Sequence, residues 1–190
     1  MTRLPRLPRE EWTDEVRDIF AYWEGEEARQ NGSRSNTMHM LALHPALGKA
    51  VLDLGKYFML DSTLSARQIK LIILRVAHRH GATYQWTHNA LGALQVGISE
   101  DEIAAVRQGA DHAIWTPDDK ALLAAVDLIC AGGRIEQAVW TDLVSRFGKR
   151  FVLDLVHGTG YFAMIALGLI ATELELEPDF AAFSRNRAKD

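Results

Sequence analysis

The sequence predicts an all-α protein. Three observations lead there: helix start signals recur along its 190 residues, the apolar positions between them repeat at three- and four-residue spacing, and runs with a period of two are scarce. Hydrophobic residues at 48% and charged residues at 24% give the balance of a packed globular chain, not a disordered one. One domain over residues 1–190 is expected at this length.

The elements follow in order. Thr13 caps a first helix through Trp23, with Asp14 and Glu15 at the positive end of its dipole. The polar, glycine-bearing stretch GEEARQNGSRSNT, residues 25–37, reads as a loop. A second helix is expected over residues 45–59, with Leu47, Val51, Leu54 and Phe58 on its apolar stripe. Ser65-Ala66-Arg67-Gln68 is a capping box, in which the serine hydroxyl meets the N3 amide and the glutamine reaches back; Leu64 and Ile69 occupy the staple positions around it. The same device recurs at Ser99-Glu100-Asp101-Glu102, between Ile98 and Ile103, and Thr116-Pro117 supplies a third start with proline at the first helical position.

Gly81 follows Arg79-His80, cations near the last carbonyls and then a residue free to take positive φ, so it predicts a stop. Thr83 is then the expected cap of a helix from Tyr84. The break matters for geometry: in a straight helix, residues 70 and 85 would stand roughly 22 Å apart, whereas a turn at Gly81 lets them approach. Further helices are expected over residues 118–131, 135–147 and 150–176, with a frayed polar tail at 184–190.

Several function classes are excluded. A formal charge of −4 with basic residues dispersed among acids is wrong for nucleic acid as a partner. The single cysteine, Cys130, allows neither an internal disulfide nor a CxxC redox pair and fits a reducing cytoplasm. The N-terminal MTRLPRLPREEW has no apolar run of a signal peptide, and the apolar stretch from Tyr161 to Thr172 is about half of a membrane span. A soluble, cytoplasmic protein without a membrane partner is expected. No Gly-rich phosphate loop, GxSxG or HExxH is present. The five-residue spacing of His39 and His44 suits no shared metal, and no ligand spacing recommends His78, His80, His88 and His157, so neither metal nor cofactor is expected.

From Leu64 to Ile103 the chain reads LSARQIKLIILRVAHRHGATYQWTHNALGALQVGISEDEI. This resembles the carboxymuconolactone decarboxylase and alkyl hydroperoxidase D-like superfamily, through Leu64-Ser65, Arg67, Leu74-Arg75-Val76-Ala77, Tyr84, Trp86, Gly97 and Ile98-Ser99. Weaker echoes lie at NTMHMLALHP (Asn36 to Pro45), at Gly160-Tyr161 and from Leu174 to Pro178. The resemblance implies an all-helical subunit that assembles into homodimers, trimers or hexamers, with small-molecule sites near subunit contacts. Redox members use two cysteines three residues apart, a histidine four beyond the second, and an upstream glutamate. Here the glutamate position falls on Lys70, the cysteine positions on Ala82 and Gln85, and the histidine position on Asn89. Without a nucleophilic and a resolving thiol, peroxidase chemistry is rejected.

The decarboxylase branch of the resemblance implies a histidine that handles a proton. His88 lies one residue before the aligned position, about 100° around a helix. It reads either as that base or as a helix-surface histidine. Tyr84 and His88, four apart, form a proton-transfer pair on one helical face, joined by His80 if the helix is continuous. Gln85 and Asn89 form the adjoining pair and would hold a substrate's polar groups, joined by Lys70 if it faces the pocket; facing out, Lys70 is an ordinary solvated lysine. Trp86 and Tyr57, with Phe58, are the expected apolar walls, although for Tyr84 and Trp86 core or subunit-interface packing with a satisfied polar tip is the more usual role. His39, His157 and Tyr161 complete the binding candidates; the glycines at 158 and 160 beside the last two allow close helix approach or room for a ligand. The expected activity is that of a cofactor-independent lyase or isomerase on a small organic acid or lactone. The alternative is a non-catalytic oligomeric member.

Overall fold

A computed structural model describes residues 3–180, so the tail expected to fray lies outside the described residues. Among the described residues all regular structure is helical. The chain divides into two compact units: Tyr57–Gly168, and the described residues on either side of that segment.

In the flanking unit, a short 3-10 turn (Arg9–Glu11) precedes α1 (Asp14–Asn31), α2 (Asn36–Ala42) and α3 (Pro45–Lys56). Thr13 caps α1 as expected, its hydroxyl accepting from the Val16 amide at 3.4 Å. Much of the expected loop over residues 25–37 is helical instead. Gly25 leaves helical geometry (φ 76°, ψ −163°), and the chain resumes as helix to Asn31, because Glu26, Glu27, Arg29 and Gln30 are good helix formers and Ala28 among them is buried in the core of this unit. Glu24 then closes the bend, accepting from the Ser33 hydroxyl and from the Arg34 amide.

The apolar stripe expected on α3 is also corrected. Leu47 and Leu54 are exposed, whereas Gly48, Leu52 and Gly55 face inward. A Cβ at Gly48 would lie 2.7 Å from the Leu41 carbonyl oxygen. The buried face is chosen by close backbone approach, which hydropathy does not register. α3 ends at Lys56, and the expected continuation to residue 59 is a wider π-helical turn, Tyr57–Asp61.

In the Tyr57–Gly168 unit, α4 (Ala66–His80) is the central element and packs on α5 (Thr83–Gln95) and α7 (Pro117–Cys130). Both capping boxes form, and the staple residues Leu64, Ile69, Ile98 and Ile103 are all buried. Gly81 ends α4 in the left-handed conformation (φ 70°, ψ 26°), so α4 and α5 are separate helices. The start of α5 differs from expectation. Ala82 occupies the cap and Thr83 is already helical, because the turn closes at once with the Ala82 amide donating to the Ala77 carbonyl at 2.8 Å.

α6 (Glu100–Val106), α7, α8 (Gln137–Phe147) and α9 (Lys149–Ala171) complete the set. α9 stops short of residue 176; the following turn includes Glu173 at φ 51°. By length and composition α9 would serve as a membrane span, beyond what the Tyr161–Thr172 stretch implied, yet Phe151, Val152, Leu155, Phe162 and Ala166 are buried in the core. Gly158 brings α9 against Phe58, whose ring would stand 3.3 Å from a Cβ there.

Two arginines of the motif tie this unit together. Arg67 bridges Glu102 (2.7 Å) and Asp119 (3.2 Å), joining the starts of α4, α6 and α7. Arg75, 7% exposed, forms a bidentate pair with Asp127 at 2.7 and 2.8 Å and donates to the Val106 and Arg107 carbonyls. Gly109 keeps that guanidinium in place: a Cβ there would lie 2.8 Å from its nearest nitrogen.

Candidate functional site

The turn at Gly81 folds α5 back along α4 and brings Lys70 to Asn89. The lysine Nζ donates to Asn89 Oδ1 at 2.9 Å. Asn89 Nδ2 in turn donates to the Gln85 carbonyl at 2.9 Å, which commits Oδ1 to the lysine. Gly92, one turn along α5, leaves the space the ammonium occupies: a Cβ there would lie 2.9 Å from Nζ. Gln85 is 4% exposed. Its Nε2 donates to the Phe162 carbonyl at 3.1 Å, while its Oε1 is buried without a hydrogen-bond partner among the described residues.

Lys70, half-buried, has no carboxylate within ion-pair distance among the described residues, and burial alone pulls its pKa below the ordinary lysine value. Three of the four positions where redox members carry their acid, thiol and imidazole thus meet here as lysine, glutamine and asparagine. The fourth, Ala82, is buried at the start of α5.

Tyr84 and His88 form a second feature of α5. Their rings stack with centroids 4.5 Å apart and planes at 22°; Tyr84 is buried and His88 half-buried. This pair runs beside Gln85 and Asn89, offset by one residue, about 100° around the helix. The break at Gly81 takes His80 out of the series. It sits at the end of α4, with Nε2 buried and unpartnered among the described residues.

Trp86 is partly buried against the core. Its ring meets His78 edge-on at 6.3 Å and carries the Arg107 guanidinium at 4.5 Å. Burial, then the charges of Arg75, Arg107 and Arg79, hold His78 below the ordinary histidine pKa.

Tyr57, Tyr161 and His157 gather about Phe58 and Asp154. The Tyr57 hydroxyl donates to Asp154 at 2.7 Å, which raises the tyrosine pKa above its usual value. Asp154 also accepts from the Thr63 amide (2.8 Å) and hydroxyl (2.7 Å). Burial pushes this carboxyl upward, but those bonds, the Tyr57 hydroxyl and the nearby His157 outweigh it and the net shift is downward. Tyr161 packs on Phe58 and Phe162, at 5.4 and 5.2 Å. His157 is exposed, its Nδ1 bonded to the Leu153 carbonyl at 2.8 Å. Sequence reasoning missed Asp154; the signal was a lone carboxylate inside the apolar run FVLDLV.

His39 is a core residue of the flanking unit, 4.7 Å from the Phe20 ring and bonded through Nε2 to the Ser33 carbonyl at 2.8 Å. Burial, then Arg6, lowers its pKa. Cys130 is half-buried, and burial raises its thiol pKa, which disfavours the nucleophilic thiolate. Among the described residues no group of three or more His, Cys, Asp or Glu side chains is arranged to hold a metal ion.

Residues 45–128 match the model of the carboxymuconolactone decarboxylase family. Solved structures similar to this chain include an uncharacterized peroxidase-related protein from Silicibacter sp. TM1040, with a TM-score of 0.80 at 19% identity, covering 94% of this chain and 93% of that one. An alkylhydroperoxidase AhpD core protein from Ralstonia eutropha JMP134 gives 0.80 at 15% identity, with 94% of each chain covered. The debrominase Bmp8 in complex with 2,3,4-tribromopyrrole gives 0.76 at 13% identity, covering 98% of this chain and 97% of that one. No curated protein matches the sequence. At these identities the likeness of the structures is one of fold.

Proposed function

We propose that the chain is a member of the carboxymuconolactone decarboxylase family, whose model matches residues 45–128, and that it is a cofactor-independent lyase or isomerase that acts on a small organic acid or lactone by proton transfer. The observation that carries this reading is the Lys70–Asn89–Gln85 chain: among the described residues, a desolvated amine with only a neutral partner, beside a buried acceptor left without a donor. Such groups cost stability when nothing binds them, and they offer a small polar substrate both a cation and hydrogen bonds. His88 moves the proton, and the Tyr84 ring stacked on it holds the imidazole plane. The working unit is a cytoplasmic homo-oligomer, a reading supported by Leu153, Met164 and Leu167, which are exposed along one stripe of α9.

The test is turnover of small lactones and keto or aromatic acids by the wild type and by His88→Ala. Turnover is expected to fall by about 10²–10⁴-fold in the variant with ligand binding kept. Unchanged turnover removes His88 from the mechanism. A second reading, a non-catalytic binding member, is favoured by the absence of any acid, thiol or imidazole at the four aligned positions. Calorimetric binding of these acids by a wild type that turns none of them over would select it.

A further inference from the structure

Lys70 is built less like an ion-pair lysine than like an amine kept available. Its one hydrogen-bond partner among the described residues is the Asn89 carbonyl oxygen, which orients an N–H without stabilising positive charge as a carboxylate would. That oxygen cannot be exchanged for the amide nitrogen, because Nδ2 is committed to the Gln85 carbonyl. On α5 the side facing Nζ is the bare backbone of Gly92. No charged group among the described residues shifts the amine; burial acts alone, toward the neutral form. The second, independent observation is Gln85 Oε1, a buried acceptor without a donor on the same ridge of α5 as Asn89. A positioned, desolvated amine without a counter-ion is the arrangement that makes lysine nucleophilic toward carbonyl carbon.

We propose that Lys70 is a covalent catalytic residue that captures a keto or aldehyde group of the substrate as a protonated imine. This rests on the proposed reading that the site takes a small organic acid, and adds that the acid carries a carbonyl. The lone pair of neutral Nζ attacks the carbonyl carbon, the C–N bond forms as the C=O π bond breaks, and a proton passes from nitrogen to oxygen to give a neutral carbinolamine. The hydroxyl takes one further proton from solvent and leaves as water while the nitrogen lone pair forms the C=N⁺ bond. In a β-keto acid the bond to the carboxylate then breaks, carbon dioxide departs, and the electron pair flows into the iminium to give an enamine. Protonation at carbon and hydrolysis release the ketone and restore the lysine. No oxidant or reductant enters.

The experiment is reductive trapping of the full chain with sodium cyanoborohydride, using pyruvate and acetoacetate as probes, read by intact mass and peptide mapping. The expected result at neutral pH is one adduct, on the peptide that contains Lys70, with Lys49, Lys56, Lys120, Lys149 and Lys189 unlabelled. Lys70→Arg abolishes it. Asn89→Asp, which gives the amine a carboxylate partner, slows trapping about tenfold for each unit by which the lysine pKa rises, with recovery at alkaline pH. Labelling spread evenly over the lysines, or Asn89→Asp trapping at the wild-type rate, overturns the proposal. Trapping reads bond formation and not turnover, so it is decided separately from the His88 mechanism, and Asn89→Asp serves even if Lys70→Arg does not fold.

Discussion

α4 carries two inward cations five residues apart, directed about 140° from one another around the helix, and their surroundings are opposites. Arg75 meets a bidentate carboxylate and two backbone carbonyls, so its charge and donors are answered. Lys70 meets one side-chain amide oxygen and no carboxylate among the described residues. Both are crowded by a glycine, Gly109 beside the guanidinium and Gly92 beside the ammonium. The contrast separates structure from function on a single helix. A saturated buried ion is retained for the fold it ties together, here α4, α6 and α7. An undersatisfied one costs folding free energy and is explained by what it binds.

The largest effect that tests this contrast is on the arginine side. Arg75→Ala leaves Asp127 and two carbonyls without their donor, and about 3 kcal/mol of stability should be lost, read from the urea midpoint. Lys70→Met, similar in length and apolar, should be neutral or stabilising by up to about 1 kcal/mol in the same assay, while binding of small acids disappears. Equal destabilisation by both variants would erase the distinction.

The glycines give a second, smaller pair. Gly109→Ala meets a fixed guanidinium and sits at φ +87°, so it should cost about 1–3 kcal/mol. Gly92→Ala is helical and meets the tip of a flexible lysine, so stability should stay within about 1 kcal/mol of wild type, and the lysine should leave Asn89, which titration of the amine by NMR would register.

The smallest effect is one of pH. Burial holds the folded Lys70 below its ordinary value of 10.5, so between the two pKa values the unfolded chain binds the extra proton. Wild-type stability relative to Lys70→Met should therefore rise as pH climbs through that window, and level off above it. A stability difference flat with pH would mean that the amine is solvated.

The site was legible in part. Alignment on Tyr84, Trp86 and Gly97 singled out Lys70, Gln85 and Asn89, and a chain of hydrogen bonds joins the three; the glycine stop at 81 was readable because a cationic helix end followed by glycine has a local cause. The unpaired Gln85 Oε1, Trp86 between His78 and Arg107, and the Asp154 cluster were not. Each depends on a residue tens of positions away, and side-chain type carries no record of which acceptor remains unfilled. Likewise α3 buried Gly48 and Gly55 where hydropathy pointed to Leu47 and Leu54, since permission for close approach is a property of the neighbour.

By itself the sequence determined the starts of α4, α6 and α7 and the stop at Gly81, because capping boxes, prolines and left-handed glycines act over a few residues and need no partner. Only the tertiary structure decided which buried polar groups are answered and which are left open. That balance is a sum over contacts between helices, and the free energy of burying a charge depends on what stands opposite it.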